Sequence, residues 1–259
     1  MATTFERLKA SRRCTFIPYI TAGDPASAAT VDVMQMLADA GADVLELGIP
    51  FSDPLADGPT IQAAAWRALQ HGVNVEKVLE WTGEFTRRRE TPVVLFTYLN
   101  PVLKYGPERF VRDARENGAA GLLITDLPVG EDAELETTLA SGGLDLVRLV
   151  APTTSEQRVG RILAAAQGFI YYISRTGVTG EREQVRVELA DEVEALRRRT
   201  DLPIAVGFGI SSPDQARLVA SVADGVVVGS ALVRTLAERG LDAAGELARE
   251  IRSAIDAAT

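Results

Sequence analysis

Eight short runs of apolar and β-branched residues recur along the chain, and an amphipathic stretch separates each from the next. The runs lie at 15–20, 43–49, 92–98, 120–125, 144–150, 168–174, 203–208 and 224–229. Patterns with helical spacing fall between them, as at 27–41, 131–143 and 212–224. Strand and helix in regular alternation predict a parallel sheet with crossover helices. Eight such units within 259 residues predict closure into a (β/α)₈ (TIM) barrel of the α/β class. The rival topology, an open doubly wound sheet, places G-x-G-x-x-G after its first strand; here TAGDP (21–25) follows instead. An amphipathic segment, TFERLKA (4–10), precedes the first run. It is expected to form an extra N-terminal helix that plugs the bottom of the barrel. No low-complexity linker or break in composition divides the chain, so residues 1–259 are read as one barrel domain.

Charge and cysteine usage narrow the partners. A formal charge of -9 and a pI near 4.8 make a poor ligand for nucleic acid or an acidic membrane surface. A phosphate remains bindable where donors are local, as at a helix N-terminus. Cys14 is the one cysteine, which excludes an intrachain disulfide and fits a reducing compartment. The first residues lack the apolar run of a signal peptide, and no stretch approaches eighteen apolar residues. A cytoplasmic protein with no membrane span is expected. The arginine runs at 87–89 and 197–199 fall at predicted helix ends, where cations suit the helix macrodipole.

In such barrels the chemistry lies at the C-terminal ends of the strands. The second run reads D-V-L-E-L-G-I, and side chains alternate along a strand. Leu45, Leu47 and Ile49 then face the helices, and Val44, Glu46 and Gly48 point into the barrel. A carboxylate held there has its pKa raised, so that it gives and takes a proton near neutrality. A pairing with a buried arginine, or a place at the solvent rim, is the bland alternative for Glu46. The following loop, PFSDPLADGPT (50–60), is stiffened by its prolines. Asp53 is read as capping local amides. Asp57 either caps the next helix or reaches over the barrel mouth. Glycines mark the ends of the sixth, seventh and eighth runs, in 174–180, 207–211 and 228–233. Together they suggest backbone donors for a phosphorylated substrate, with Gly229 and Ser230 opening a helix.

Scarcity constrains the reaction. Lys9 and Lys77 fall in predicted helices and Lys104 in the loop NPVLKYG, so no lysine projects from a strand end to form a Schiff base. His71, the one histidine, stands at a helix end as a C-terminal capping cation. No metal and no organic cofactor is expected. A carbon–carbon lyase built on these residues needs a substrate with its own electron sink. An indole ring protonated at C3 is one.

The stretch ELGIPFSDPLADGPTIQ (46–62) resembles the signature of the tryptophan synthase alpha chain family. ITAGDP (20–25), SRTGVTG (174–180), GFGIS (207–211) and VGSALV (228–233) fall where that family has similar segments. The resemblance implies retro-aldol cleavage of indole-3-glycerol phosphate to indole and glyceraldehyde-3-phosphate. It implies a tryptophan synthase beta chain as partner in an α₂β₂ assembly. Glu46 then resembles the catalytic acid/base and Asp57 the aspartate that receives the indole N–H. Tyr171 resembles an active-site tyrosine, and Thr179 a loop residue that closes the site and positions Asp57. Gly180, Phe208, Gly209, Gly229 and Ser230 resemble the phosphate binders. Tyr19 stands where the family commonly has phenylalanine, which adds a hydroxyl that needs a partner. Phe96 stands where a smaller aliphatic residue is common, which narrows the indole pocket. Two alternatives stay open on the sequence: a stand-alone lyase that releases free indole, and a non-catalytic subunit that activates a beta chain.

Overall fold

The computed structural model describes residues 1–11, 13–26, 29–174, 182–207 and 209–258. Eight parallel strands close in sequence order: β1 Thr15–Thr21, β2 Leu45–Gly48, β3 Val93–Thr97, β4 Gly121–Ile124, β5 Asp145–Val150, β6 Ile170–Ile173, β7 Ile204–Gly207 and β8 Gly225–Val228. The ring is sealed where Thr15 of β1 pairs with Gly225 of β8. Among the described residues the helices are α1 Ala2–Ala10, α2 Thr30–Asp39, α3 Pro59–Gln70, α4 Val75–Thr86, α5 Leu99–Tyr105, α6 Pro107–Glu116, α7 Ala133–Ser141, α8 Glu156–Ala165, α9 Arg182–Arg197, α10 Pro213–Ala220 and α11 Ser230–Asp256. The last is broken by a non-helical Gly240.

Alternation along each strand divides the apolar residues between two cores. Ile17, Val44, Val94, Leu123, Val147, Phe169, Ala205 and Val227 meet inside the barrel. Each strand, or the residue leading into it, supplies one of them. The opposite faces, with Phe16, Leu45, Leu47 and Leu95, pack under the helices. Each such side chain removed from water contributes about 1.5–3 kcal/mol, so the parity of the strands is strongly specified. The amphipathic N-terminal segment does plug the barrel. Phe5 of α1 joins the inner cluster and lies against Phe169, with ring centroids 5.5 Å apart.

Each predicted strand forms, though most are shorter than the apolar runs because the end residues turn into loops. The predicted helices at 27–41, 131–143 and 212–224 likewise shrink to α2, α7 and α10. Side-chain caps fix two of these starts: Asp132 accepts the Leu135 N–H at 2.9 Å, and Ser212 accepts the Gln215 N–H at 3.4 Å. One expectation fails. NPVLKYG is not a loop: Leu99–Tyr105 is helix α5, and Lys104 occupies its last turn. Asp126, beyond β4, accepts the Leu99 N–H at 2.6 Å and supplies the start that the local sequence does not show. Lys104 remains exposed on a helix, away from any strand end.

The bottom pole is held by a buried ionic hub. Arg252 of α11 donates to Asp43 at 2.9 Å, to the Cys14 carbonyl at 3.1 Å and to Asp256 at 2.6 Å. Asp43 in turn accepts the Phe16 N–H at 2.9 Å. The hub ties the last helix to the entrances of β1 and β2.

Candidate active site

Glu46 lies in β2 between Tyr19 of β1 and Val94 of β3, its register partners. It points inward as its parity requires, and it is 1% exposed. Neither carboxyl oxygen finds a hydrogen-bond partner among the described residues, so none of the described arginines pairs with it, and its burial excludes a place at the solvent rim. Burial alone pushes its pKa up to about 8. At neutral pH the group is therefore a neutral acid whose conjugate base is within easy reach, the condition for proton transfer in both directions.

Asp57 does not cap the helix that follows it. The N-cap of α3 is Gly58, with Pro59 in the first turn and no side-chain cap. The Asp57 carboxylate instead lies beside the Tyr98 hydroxyl, and burial raises its pKa to about 6 against the lowering by that hydroxyl. Asp53 keeps a local role, although its partner is the Ser52 hydroxyl at 2.5 Å rather than an amide.

The other inward groups form walls. Tyr19 and Phe96 meet edge to face, with centroids 5.2 Å apart and planes at 76°. The Tyr19 hydroxyl has its partner, Thr21 Oγ1 at 3.3 Å. It also occupies the space a side chain at Gly48 would fill, so glycine at 48 is what lets Tyr19 lie across β2. Tyr171 is seated in the same way over Gly207. Its phenol is pushed far up by burial first and then by the nearby charge of Glu46. Burial, then the charge of Asp57, raises the Tyr19 phenol as well, and Glu46 adds to it. Glu46, Asp57, Tyr19 and Tyr171 thus share one electrostatic environment at the barrel mouth.

On the glycine-bearing side, Gly209 has φ +71 and is exposed. Gly229 is the N-cap of α11 and Ser230 its first residue. A Cβ at Gly229 would meet the Tyr19 ring at 3.4 Å, an ordinary contact, and its φ of -114 is open to any residue. Packing therefore does not demand glycine there. The first turn of α11 leaves backbone N–H groups free to take an anion. Thr179, Gly180 and Phe208 lie outside the described residues.

Lys9 lies in α1 and Lys77 in α4, and His71 is the C-cap of α3. Among the described residues no group of three or more His, Cys, Asp or Glu is placed to hold a metal ion. A cleft of 640 Å³ opens at the opposite pole, lined by Lys9, Cys14, Arg197 and Asp224 among others. It holds no poised group: Arg197 pairs with Asp224 at 3.0 Å, and burial pushes the Cys14 thiol up to about 12.

Tyr98 is the site residue that the sequence reading missed. A signal was there. It shares the inward parity of Val94 and Phe96 and stands one step nearer the mouth.

Comparison with known proteins agrees with this geometry. A family model described as "Tryptophan synthase alpha chain" matches residues 5–258. The curated tryptophan synthase alpha chain of Geobacillus kaustophilus is 53% identical, covering 85% of this chain and 82% of that one. That of Synechococcus elongatus is 47% identical over 97% of this chain and 95% of the relative. The crystal structure of tryptophan synthase subunit alpha from Legionella pneumophila str. Paris superposes with a TM-score of 0.91 at 41% identity. It covers 99% of this chain and 98% of the other.

Proposed function

The chain belongs to the tryptophan synthase alpha chain family, and from that premise we propose how its residues carry out the reaction. The enzyme is a lyase that cleaves indole-3-glycerol phosphate into indole and glyceraldehyde-3-phosphate. The observation that carries the reading of its residues is the buried, unpartnered carboxyl of Glu46. Protonated at rest, it gives its proton to indole C3, which leaves the ring cationic and able to accept an electron pair. As carboxylate it then takes the proton of the side-chain hydroxyl next to C3. The C–O bond becomes a carbonyl, the C3–carbon bond breaks, and its electron pair neutralises the ring. One proton enters and one leaves, so Glu46 returns to its starting state.

Asp57 supplies the negative charge that receives the indole N–H and offsets the cation. Tyr19 and Phe96 form the aromatic wall of the indole pocket, and Tyr171 closes the side near Glu46. Gly209, Gly229 and Ser230, together with Gly180 and Phe208, hold the phosphate. Thr179 helps close the site and position Asp57. The chain works as one domain over residues 1–259. No metal or organic cofactor is needed, since the substrate's own ring is the electron sink. The compartment is the cytoplasm, consistent with an unpaired Cys14; no described helix is long and apolar enough to cross a membrane.

The partner is a tryptophan synthase beta chain in an α₂β₂ assembly that consumes the indole. The support is an apolar rim: Leu55 is 92% exposed in the same loop that holds Asp57. Phe51, Asn100 and Pro101 line an adjacent groove of 530 Å³. A partner that favours the ordered loop must raise the activity of the site, because coupling is reciprocal. The test is turnover of indole-3-glycerol phosphate with and without a beta chain, with complex formation followed by sedimentation. Slow cleavage alone and a rise of about 10-fold or more in the complex are expected, equivalent to about 1.4 kcal/mol of transition-state stabilisation. Full activity alone, with no complex at micromolar concentration, would identify a stand-alone lyase. Absence of cleavage in both arms would overturn the roles given to Glu46 and Asp57.

A further inference from the structure

Tyr98 follows the last residue of β3 and is 4% exposed. Its ring lies against Phe51, with centroids 5.3 Å apart and planes inclined by 37°. Its hydroxyl accepts the Ala56 N–H at 3.0 Å. The same hydroxyl faces the Asp57 carboxylate and lowers its pKa. One side chain on the rigid barrel thus holds two points of the loop after β2, the ring of Phe51 and the backbone of Ala56, and bears electrostatically on the carboxylate of Asp57, the next residue along.

The polarity of this cluster is fixed by proton counting. A backbone N–H only donates, so toward Ala56 the phenol oxygen is an acceptor. A phenol carries one proton. Burial, together with the charge of Asp57, raises the Tyr98 phenol above its ordinary range, so the oxygen keeps that proton at working pH. A carboxylate only accepts, and Tyr98 lowers the Asp57 pKa, so the phenol's one proton is the group directed at Asp57.

We propose that Tyr98 is a positioning residue for the cleavage reaction, fixing the β2 loop across the barrel mouth so that the Asp57 carboxylate is presented, charged, to the substrate ring. This rests on the role given to Asp57 above. Loop residues are otherwise the least constrained part of a barrel, and a charge placed an ångström out of register loses much of its effect on a transition state. The Phe51–Tyr98 contact also joins the partner-facing segment of the loop to the residue that holds Asp57. A change at the rim therefore reaches the carboxylate through a packed side chain.

Tyr98→Phe tests this, since it keeps the ring and its packing on Phe51 and removes only the hydroxyl. The expected result is a fall in kcat of about 10-fold with a smaller change in KM. The acid limb of the pH profile moves to higher pH, because Asp57 loses the hydroxyl that lowers its pKa, while the alkaline limb stays in place. In an Asp57→Asn background the same substitution should cost less than about 2-fold, because the two residues then act through one group. An unmoved acid limb, or losses that multiply in the double variant, would overturn the proposal. A Tyr98→Phe chain that fails to fold would also overturn it, by making the hydroxyl a structural group. Failure of the wild-type chain to cleave the substrate is a separate result, and it strikes the reading of the site rather than Tyr98.

Discussion

The two poles of the barrel treat buried charge in opposite ways. At the bottom, Arg252 is buried with an aspartate on either side and a carbonyl besides, and Asp43 also receives the Phe16 N–H. At the mouth, Glu46 is as deeply buried and meets no hydrogen-bond partner among the described residues. An ionisable group buried without partners is costly to charge. At the bottom the guanidinium is paired through both terminal nitrogens, with only its Nε–H left over, whereas the mouth offers Glu46 no partner among the described residues. The role proposed for Glu46 accounts for this, because a carboxyl engaged by arginine has no proton to exchange. Stability is built at one pole and reactivity at the other, as the fold's loop arrangement allows.

The contrast is broken most severely at the bottom. Arg252→Met keeps the packing of the stem but leaves Asp43 buried without its cation. A loss on the order of 3 kcal/mol is expected, from the usual cost of breaking a buried pair. Urea unfolding measures it, and turnover per folded molecule should not change. A large loss of turnover in folded protein would show that the poles are not independent.

Glu46→Gln should do the reverse. Cleavage is expected to fall by about 10²-fold or more, the scale of general acid–base catalysis. Stability should rise, and the sign follows from the raised pKa. Between the ordinary carboxyl value of 4.5 and the folded value of about 8, the unfolded wild-type chain sheds a proton that the folded chain keeps. Wild-type stability therefore declines as pH rises through that window and levels off above it. The glutamine variant has no such decline. Its advantage should grow from pH 5 to 8, reaching a few kcal/mol by order of magnitude. Thermal unfolding at several pH values checks this, and equal curves for the two proteins would show that Glu46 is satisfied after all.

The smallest effect is the shape of the pH profile. On the proposed roles cleavage needs Asp57 charged and Glu46 protonated, so kcat/KM should form a bell with limbs near 6 and 8. Outside that range it should fall about tenfold per pH unit. In Glu46→Gln the residual activity should lose the alkaline limb and keep the acid one. A profile flat from pH 5 to 9 would remove both assignments.

The arrangement of strands was legible because each inward or outward choice is repeated along a run: the alternation at Val44, Glu46 and Gly48 admits only one facing once Leu45 and Leu47 are under helices. Glu46 followed from that parity. What could not be read were interactions made between distant segments. Asp57 looks like a helix cap beside Gly58 and Pro59, and only the folded barrel shows that Tyr98, arriving from β3, claims its carboxylate. Helix α5 was missed for the same reason, since Asp126 starts it from another strand's loop. The seats at Gly48 and Gly207 looked like ordinary strand-end glycines until the tyrosines that need the space were in place.

The pairing of Thr15 with Gly225 has a consequence in time. The first strand waits for the last, so a chain leaving the ribosome carries Glu46 and Asp57 long before the wall that dries them exists. In the unfolded chain Glu46 faces water and is ionised at neutral pH. Burial makes it take up a proton from solvent. Refolding in weakly buffered solution near pH 7 should therefore consume hydrogen ions as Glu46 is buried, and a pH indicator dye would follow the event. On the role proposed for Glu46, the acid that the reaction needs is made by folding itself.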